Sequence, residues 1–163
     1  MARPPLHCTA PDAEQKQIAL YRRVNGFTGP LARTGWHWRT RWIARALALW
    51  VWCKHHGRRQ QGALAIAREW QRLFGLPRFW VIERVEDDTA YCDIHFPCSL
   101  QGSGDVAACH RLMEYDRAIL RHIGGQMVVL QSRADPSVTG GCKVAIRSLG
   151  DRRTDLIPAR LLD

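Results

Sequence analysis

The chain lacks an apolar run long enough to cross a bilayer. Its longest, WIARALALWVWC over residues 42–53, is interrupted by Arg45 and falls short of the ~20 apolar residues a spanning helix needs. The opening MARPPLHCTAPDAEQKQ holds no apolar segment of the kind a secretion signal uses. These absences predict a cytoplasmic protein with no membrane partner. Acidic residues are scarce in one half only: residues 1–75 carry 13 Lys and Arg against 3 Asp and Glu, whereas residues 76–163 carry 11 against 12. The net charge of +9 therefore belongs to the first half. Such asymmetry suits a nucleic-acid or membrane surface, a solvated helical face or an attraction for small anions. The close metal-binding pairs C-x2-C and H-x3-H are missing, as are internal repeats and low-complexity segments.

What remains has the balance of a globular protein, with 46% hydrophobic and 24% charged residues in a chain of 163. That length fits one domain that folds without disulfides. The six cysteines, in a chain read as cytoplasmic, are expected as free thiols.

Helical signals fill the first half. Residues 12–24 follow Pro11 and read as a helix stopped by Asn25-Gly26 and a turn through Gly29-Pro30. A second helix is expected over about 35–56, with Trp38, Trp42, Ala46, Leu49 and Cys53 on one face, and a third over about 60–74, gathering Leu64, Ala67, Trp70 or Gln71 and Phe74. At helical spacing the tryptophans read as core, and the second helix carries more apolar surface than a small domain usually needs, which leaves room for a homodimer.

After Pro77 the period changes. Residues 79–86 and 89–96 read as a hairpin turned at Asp87-Asp88, residues 105–123 as a helix ended by Gly124-Gly125, and residues 126–133 and 142–149 as two further strands. The expected architecture is α+β: a helical part over about 12–75 set on a ββαββ unit over about 78–149, with a small, mainly antiparallel sheet and an unassigned tail over 150–163. GSGD at 102–105 reads as a turn with Asp105 as N-cap, and HHGRR at 55–59 as a charged helix end.

Strand alternation places Ala90, Cys92, Ile94 and Phe96 on one face, with Cys98 joining that side at the strand end if it persists past Pro97. On the following helix Val106, Cys109, Leu112, Met113, Ile119, Leu120 and Ile123 form an apolar stripe that also contains Asp116. A carboxylate there must be paired or shifted in pKa. Cys142 shares its strand's apolar side with Val144 and Ile146. Cys98, Cys109, Asp116 and Cys142 are thus expected to converge, while Cys92 reads as core. Zinc is a poor fit: Cys92, His95 and Cys98 form C-x2-H-x2-C, but on a strand His95 points away from the two cysteines. No metal and no cofactor are expected.

FPCSLQGSGD, the helix CHRLMEYDRAILRHIGG and MVVLQSRADPSVTGGCKVAIR together resemble the L-2-amino-thiazoline-4-carboxylic acid hydrolase family over residues of about 90 to 148. Members often place Cys-Pro after the first strand where this chain has Pro97-Cys98-Ser99, and a helix cysteine near the position of Met113 where this chain has Cys109. The resemblance implies opening of a cyclic, amidine-like thiazoline by water. Cys98 matches the strand-end cysteine, Asp116 the helix acid and Cys142 the last-strand cysteine. The residues suit that chemistry: Cys98 as nucleophile, Asp116 as acid and base, Cys142 as a second thiol. Cys109, His110 and Arg133 are expected around a small, anionic substrate. The leading expectation is therefore a metal-independent hydrolase or lyase acting on a C–N or C–S bond. A binding or sensor domain without turnover and a basic nucleic-acid-associated protein are the alternatives; nucleic acid is the less expected partner.

Overall fold

The computed structural model describes residues 11–34 and 37–159. Three helices lead, α1 (Pro11–Arg33), α2 (His37–Lys54) and α3 (Ala63–Phe74). They are followed by strands β1 (Trp80–Glu86) and β2 (Thr89–Ile94), helices α4 (Val106–Leu112) and α5 (Glu114–Ile123), and strands β3 (Gly125–Gln131) and β4 (Cys142–Ser148). The fold is α+β, with a helical N-terminal half and one antiparallel sheet of order β1-β2-β4-β3.

β-Branched and aromatic residues draw the second half into strands, and the register keeps one face apolar. Cys92 lies opposite Val144, Ile94 opposite Cys142, and Met127 opposite Ile146. The β1–β2 hairpin turns through Asp87 and Asp88, both with positive φ, the backbone that a two-residue turn of matching twist requires. Asp88 Oδ1 also accepts from Ala63 N at 2.8 Å and so ties the hairpin to the start of α3. Ile66, Ala67, Trp70, Leu73 and Phe74 recur at helical spacing on α3 and are all buried. The helix stops at Gly75, whose φ of 67° suits glycine. Helices α3 and α5 cover the apolar face of the sheet. Tyr21 reaches in from α1 to an aromatic group formed by Phe74, Trp80 and Phe96.

The tail over residues 151–159 has no regular secondary structure. Buried Arg147 holds Asp155 with two hydrogen bonds of 2.7 and 2.8 Å, and Ala159 N donates to Val129 O on the edge strand β3 at 2.7 Å.

Four expectations need correction. First, α1 does not end at Asn25-Gly26 but continues through Gly29 and Pro30 to Arg33. Second, the helix expected over 105–123 is broken at Met113 into α4 and α5. Third, β2 stops at Ile94, so Cys98 sits in the connecting loop. Fourth, the face of α2 holding Trp38, Trp42, Ala46, Leu49 and Cys53 looks outward, and Trp50 is exposed as well. The core tryptophans are Trp70 and Trp80. Trp36 lies outside the described residues. No helix among the described residues is long and apolar enough to cross a membrane.

Candidate functional site

Three thiols meet where the loop after β2, helix α4 and the start of β4 come together. Cys109 and Cys142 are buried, at 4% and 8% exposure, and Cys98 is half-buried above them. Main-chain N–H groups point at two of the sulfurs: Leu100 N donates to Cys98 Sγ and Arg133 N to Cys142 Sγ, each at 3.4 Å.

The loop carrying Cys98 is held from two sides. On one side, Ser99 Oγ donates to Asn25 O of α1 at 2.9 Å, and Asn25 Nδ2 makes a long contact of 3.5 Å with Pro97 O. Gly29, one turn further on, is the place where α1 admits Ser99, because a Cβ there would overlap the Ser99 hydroxyl. On the other side, the Arg133 guanidinium donates to Phe96 O at 3.2 Å and to Gln101 Oε1 at 2.7 Å. The main chain adds Gly102 N to Arg133 O and Gly104 N to Ala134 O, both 2.8 Å. Asp105 then caps α4, its Oδ1 accepting from Ala108 N at 2.7 Å, as expected from the turn chemistry.

The electrostatics separate the thiols. A hydrogen bond from Cys142 brings the pKa of Cys109 down to about 7 against its burial, with help from the Ser132 hydroxyl and from Arg117. The same hydrogen bond, together with burial, pushes Cys142 well up. The Cys142 hydrogen bond thus favours the thiolate on Cys109 over one on Cys142. Burial raises Cys98, and the charge of Cys109 adds to the rise; the Leu100 N–H and Arg133 oppose it. Cys92, alone inside the core, is pushed up to about 12 by burial and then by Glu83, as suits an inert structural thiol.

Asp116 lies in the first turn of α5, within electrostatic reach of Cys109. Burial pushes its carboxyl up to about 7, while the Trp70 indole and Arg117 pull the other way. The residue keeps some accessible surface, so the dense protein around the carboxyl causes the shift rather than complete exclusion of water. Trp70 Nε1 is buried without a hydrogen-bond partner of good geometry; it affects Asp116 through proximity.

Of the residues expected around a substrate, Cys109 belongs to the thiol cluster, and Arg133 clamps the Cys98 loop with two of its N–H groups. His110 faces elsewhere. Arg117 donates to its carbonyl at 2.7 Å and lies 3.3 Å from its Nδ1. Its ring helps line a cavity of about 430 Å³ with Ala107, Arg111, Pro158 and Ala159. Sequence reasoning missed Ser132, Asn25 and Gly29. Ser132 was legible only as the neighbour of Arg133, and the two α1 residues read as helix punctuation. His95 is exposed and pairs with Asp93 at 3.1 Å, turned away from buried Cys92. No group of three or more His, Cys, Asp or Glu among the described residues could hold a metal ion.

Comparison with protein-family models, curated proteins and solved structures finds no match to this chain.

Proposed function

We propose that the chain is a small thiol-using enzyme, a hydrolase or lyase that opens the C–N or C–S bond of a small carboxylated heterocycle or amidine. The observation that carries this reading is the meeting of Cys98, Cys109 and Cys142 from three separate elements, with Cys142 favouring the thiolate on Cys109 and a carboxylic acid nearby whose pKa burial raises to about 7. A thiolate is a strong nucleophile once formed, and an acid is most useful when its pKa lies near the working pH.

In this reading substrate meets Cys98, the most accessible of the three. Its proton passes to Cys109 as its sulfur bonds to the C=N carbon, and the π electrons move to nitrogen, which takes the proton of Asp116. Ring sulfur then leaves as a thiol, taking the proton held by Cys109, as the C=N bond re-forms; water attacks that carbon and gives one proton back to Asp116, and Cys98 leaves as a thiol with the other as the urea carbonyl forms. Buried Cys142 stabilises the charge on Cys109 rather than touching substrate.

The test is mass spectrometry of the reduced protein with 2-amino-thiazoline-4-carboxylate beside Cys98→Ser and Asp116→Asn. Ring-opened carbamoyl product is expected with the parent protein and not with either variant. The rate should fall below pH ~7 as Cys109 gains a proton and above pH ~7 as Asp116 loses its own. No turnover by the parent protein of this or related cyclic amidines would sink the reading.

A further inference from the structure

Helix α2 is turned inside out. Its inner side presents Ala44, Ala48 and Val51 at steps of four and three, with half-buried Trp52 beside them. Its outer side presents Trp38, Trp42 and Leu49, with Ile43, Leu47 and Trp50 beside them, and the three tryptophans are 63%, 64% and 55% exposed. A contiguous apolar face of this kind marks an interaction surface. Burial of this face does not hold α2 in place; instead Arg45 and Arg41 reach Glu114 of α5 at 3.1 and 3.7 Å, and Trp52 stacks on His122.

The charge on α2 decides what covers the face. The helix carries Arg39, Arg41, Arg45 and Lys54 and no acidic residue. Two of these cations belong to the outer face itself: Arg39 lies over the Trp38 ring at 5.0 Å and Lys54 over the Trp50 ring at 4.5 Å. A second copy of the chain, laid α2 against α2, would set like charges against like, because the helix carries no acidic residue. A nucleic acid would satisfy the cations and stack on the tryptophans, but it offers no hydrocarbon to Ile43, Leu47 and Leu49. An anionic phospholipid surface answers both demands, with acyl chains for the aliphatic side chains, an interfacial layer for the tryptophan rings and phosphate for the cations beside them. α1 adds an exposed Leu20, Val24 and Phe27 at steps of four and three, next to exposed Arg22 and Arg23.

We infer that α2 is a surface-lying anchor that docks the protein on anionic phospholipid through Trp38, Trp42, Ile43, Leu49 and Trp50. The sequence expectation of no membrane partner came from the length of the apolar run, which bears on spanning and not on adsorption. This inference is independent of the thiol chemistry and stands or falls without it.

The test is co-sedimentation of the full chain with vesicles of phosphatidylcholine alone and of phosphatidylcholine mixed with phosphatidylglycerol, alongside light scattering after gel filtration. A monomer should sediment with the anionic vesicles and not with the neutral ones, with a blue shift of tryptophan emission and with loss of binding in high salt. Trp42→Glu and Leu49→Glu should each weaken binding about tenfold or more, with unchanged circular dichroism because both positions are exposed. Ile157→Glu, at an exposed apolar residue of the tail, is the control and should bind like the parent. Absence of binding to anionic vesicles overturns the inference. So does equal loss with Ile157→Glu, a dimer that Trp42→Glu dissociates, or oligonucleotide binding that Trp42→Glu abolishes while vesicle binding persists.

Discussion

Helices α2 and α3 draw on similar residues and treat water in opposite ways. Both carry tryptophan, leucine, isoleucine and alanine among arginines. On α3 the large residues face the sheet, and Trp70 is 1% exposed. On α2 the inward side holds Ala44, Ala48, Val51 and Trp52, while Trp38, Trp42, Ile43, Leu49 and Trp50 stay in solvent. Apolar content therefore says how much surface seeks cover, and the partner within reach says where the cover comes from. For α3 that partner is the sheet; for α2 it is the phospholipid surface inferred above.

The largest effect should separate the two tryptophan classes. Trp70→Ala is expected to cost ~3–5 kcal/mol in urea unfolding, from lost burial and the cavity left behind, whereas Trp42→Ala should change stability by less than ~0.5 kcal/mol. Similar losses at both positions would erase the distinction. A smaller effect is expected at Glu114, a buried carboxylate that receives Arg45 and Arg121 and so secures α2 to α5. Burial alone would raise its pKa, but the hydrogen bonds from Arg121 and Arg45 outweigh it and leave it lowered. Its contribution is thus present above pH ~4.5 and fades as pH falls through the depressed value. Glu114→Gln should cost ~1–2 kcal/mol at neutral pH and should speed hydrogen exchange in α2 more than in α3; equal acceleration in both would show that Glu114 has no special hold on α2. A third effect lies at Asp116, beside Trp70. Its raised pKa means that native stability is lost as pH climbs from about 4 through about 7. Asp116→Asn should therefore melt a few degrees higher than the parent at pH 8 and about equally at pH 4. A lower melting point at pH 8 would show that the carboxylate is paired rather than strained by burial.

Much of the sheet was legible because strand alternation is a local signal. Ala90, Cys92, Ile94 and Phe96 share a buried side, and Cys92 is core; Cys98 meets Cys109 and Cys142 from the loop after β2 rather than from the strand end expected. What was not legible depends on neighbours distant in sequence. Asn25-Gly26 and Gly29-Pro30 read as stop signals, yet the helix runs through them because Ser99 docks on that turn, against Gly29 and onto the Asn25 carbonyl. Pro30 is tolerated at the cost of one helical hydrogen bond, close to the helix end at Arg33. The break at Met113 is equally silent in the periodicity, although it separates the helix of Cys109 from that of Asp116. For α2 the period was right and its direction was wrong, since a moment has an axis but no knowledge of which side holds the sheet.

The contact between Ala159 and Val129 also has a meaning in time. β3 is an outer strand of the sheet, and its edge receives the Ala159 N–H only after the tail has crossed from Arg147 through Asp155. During folding the four strands can pair before the tail is laid down, and until it docks the sheet keeps an open side at β3, the form most able to recruit a neighbouring strand. The time the tail takes to dock sets the interval in which misassociation at that edge competes with folding.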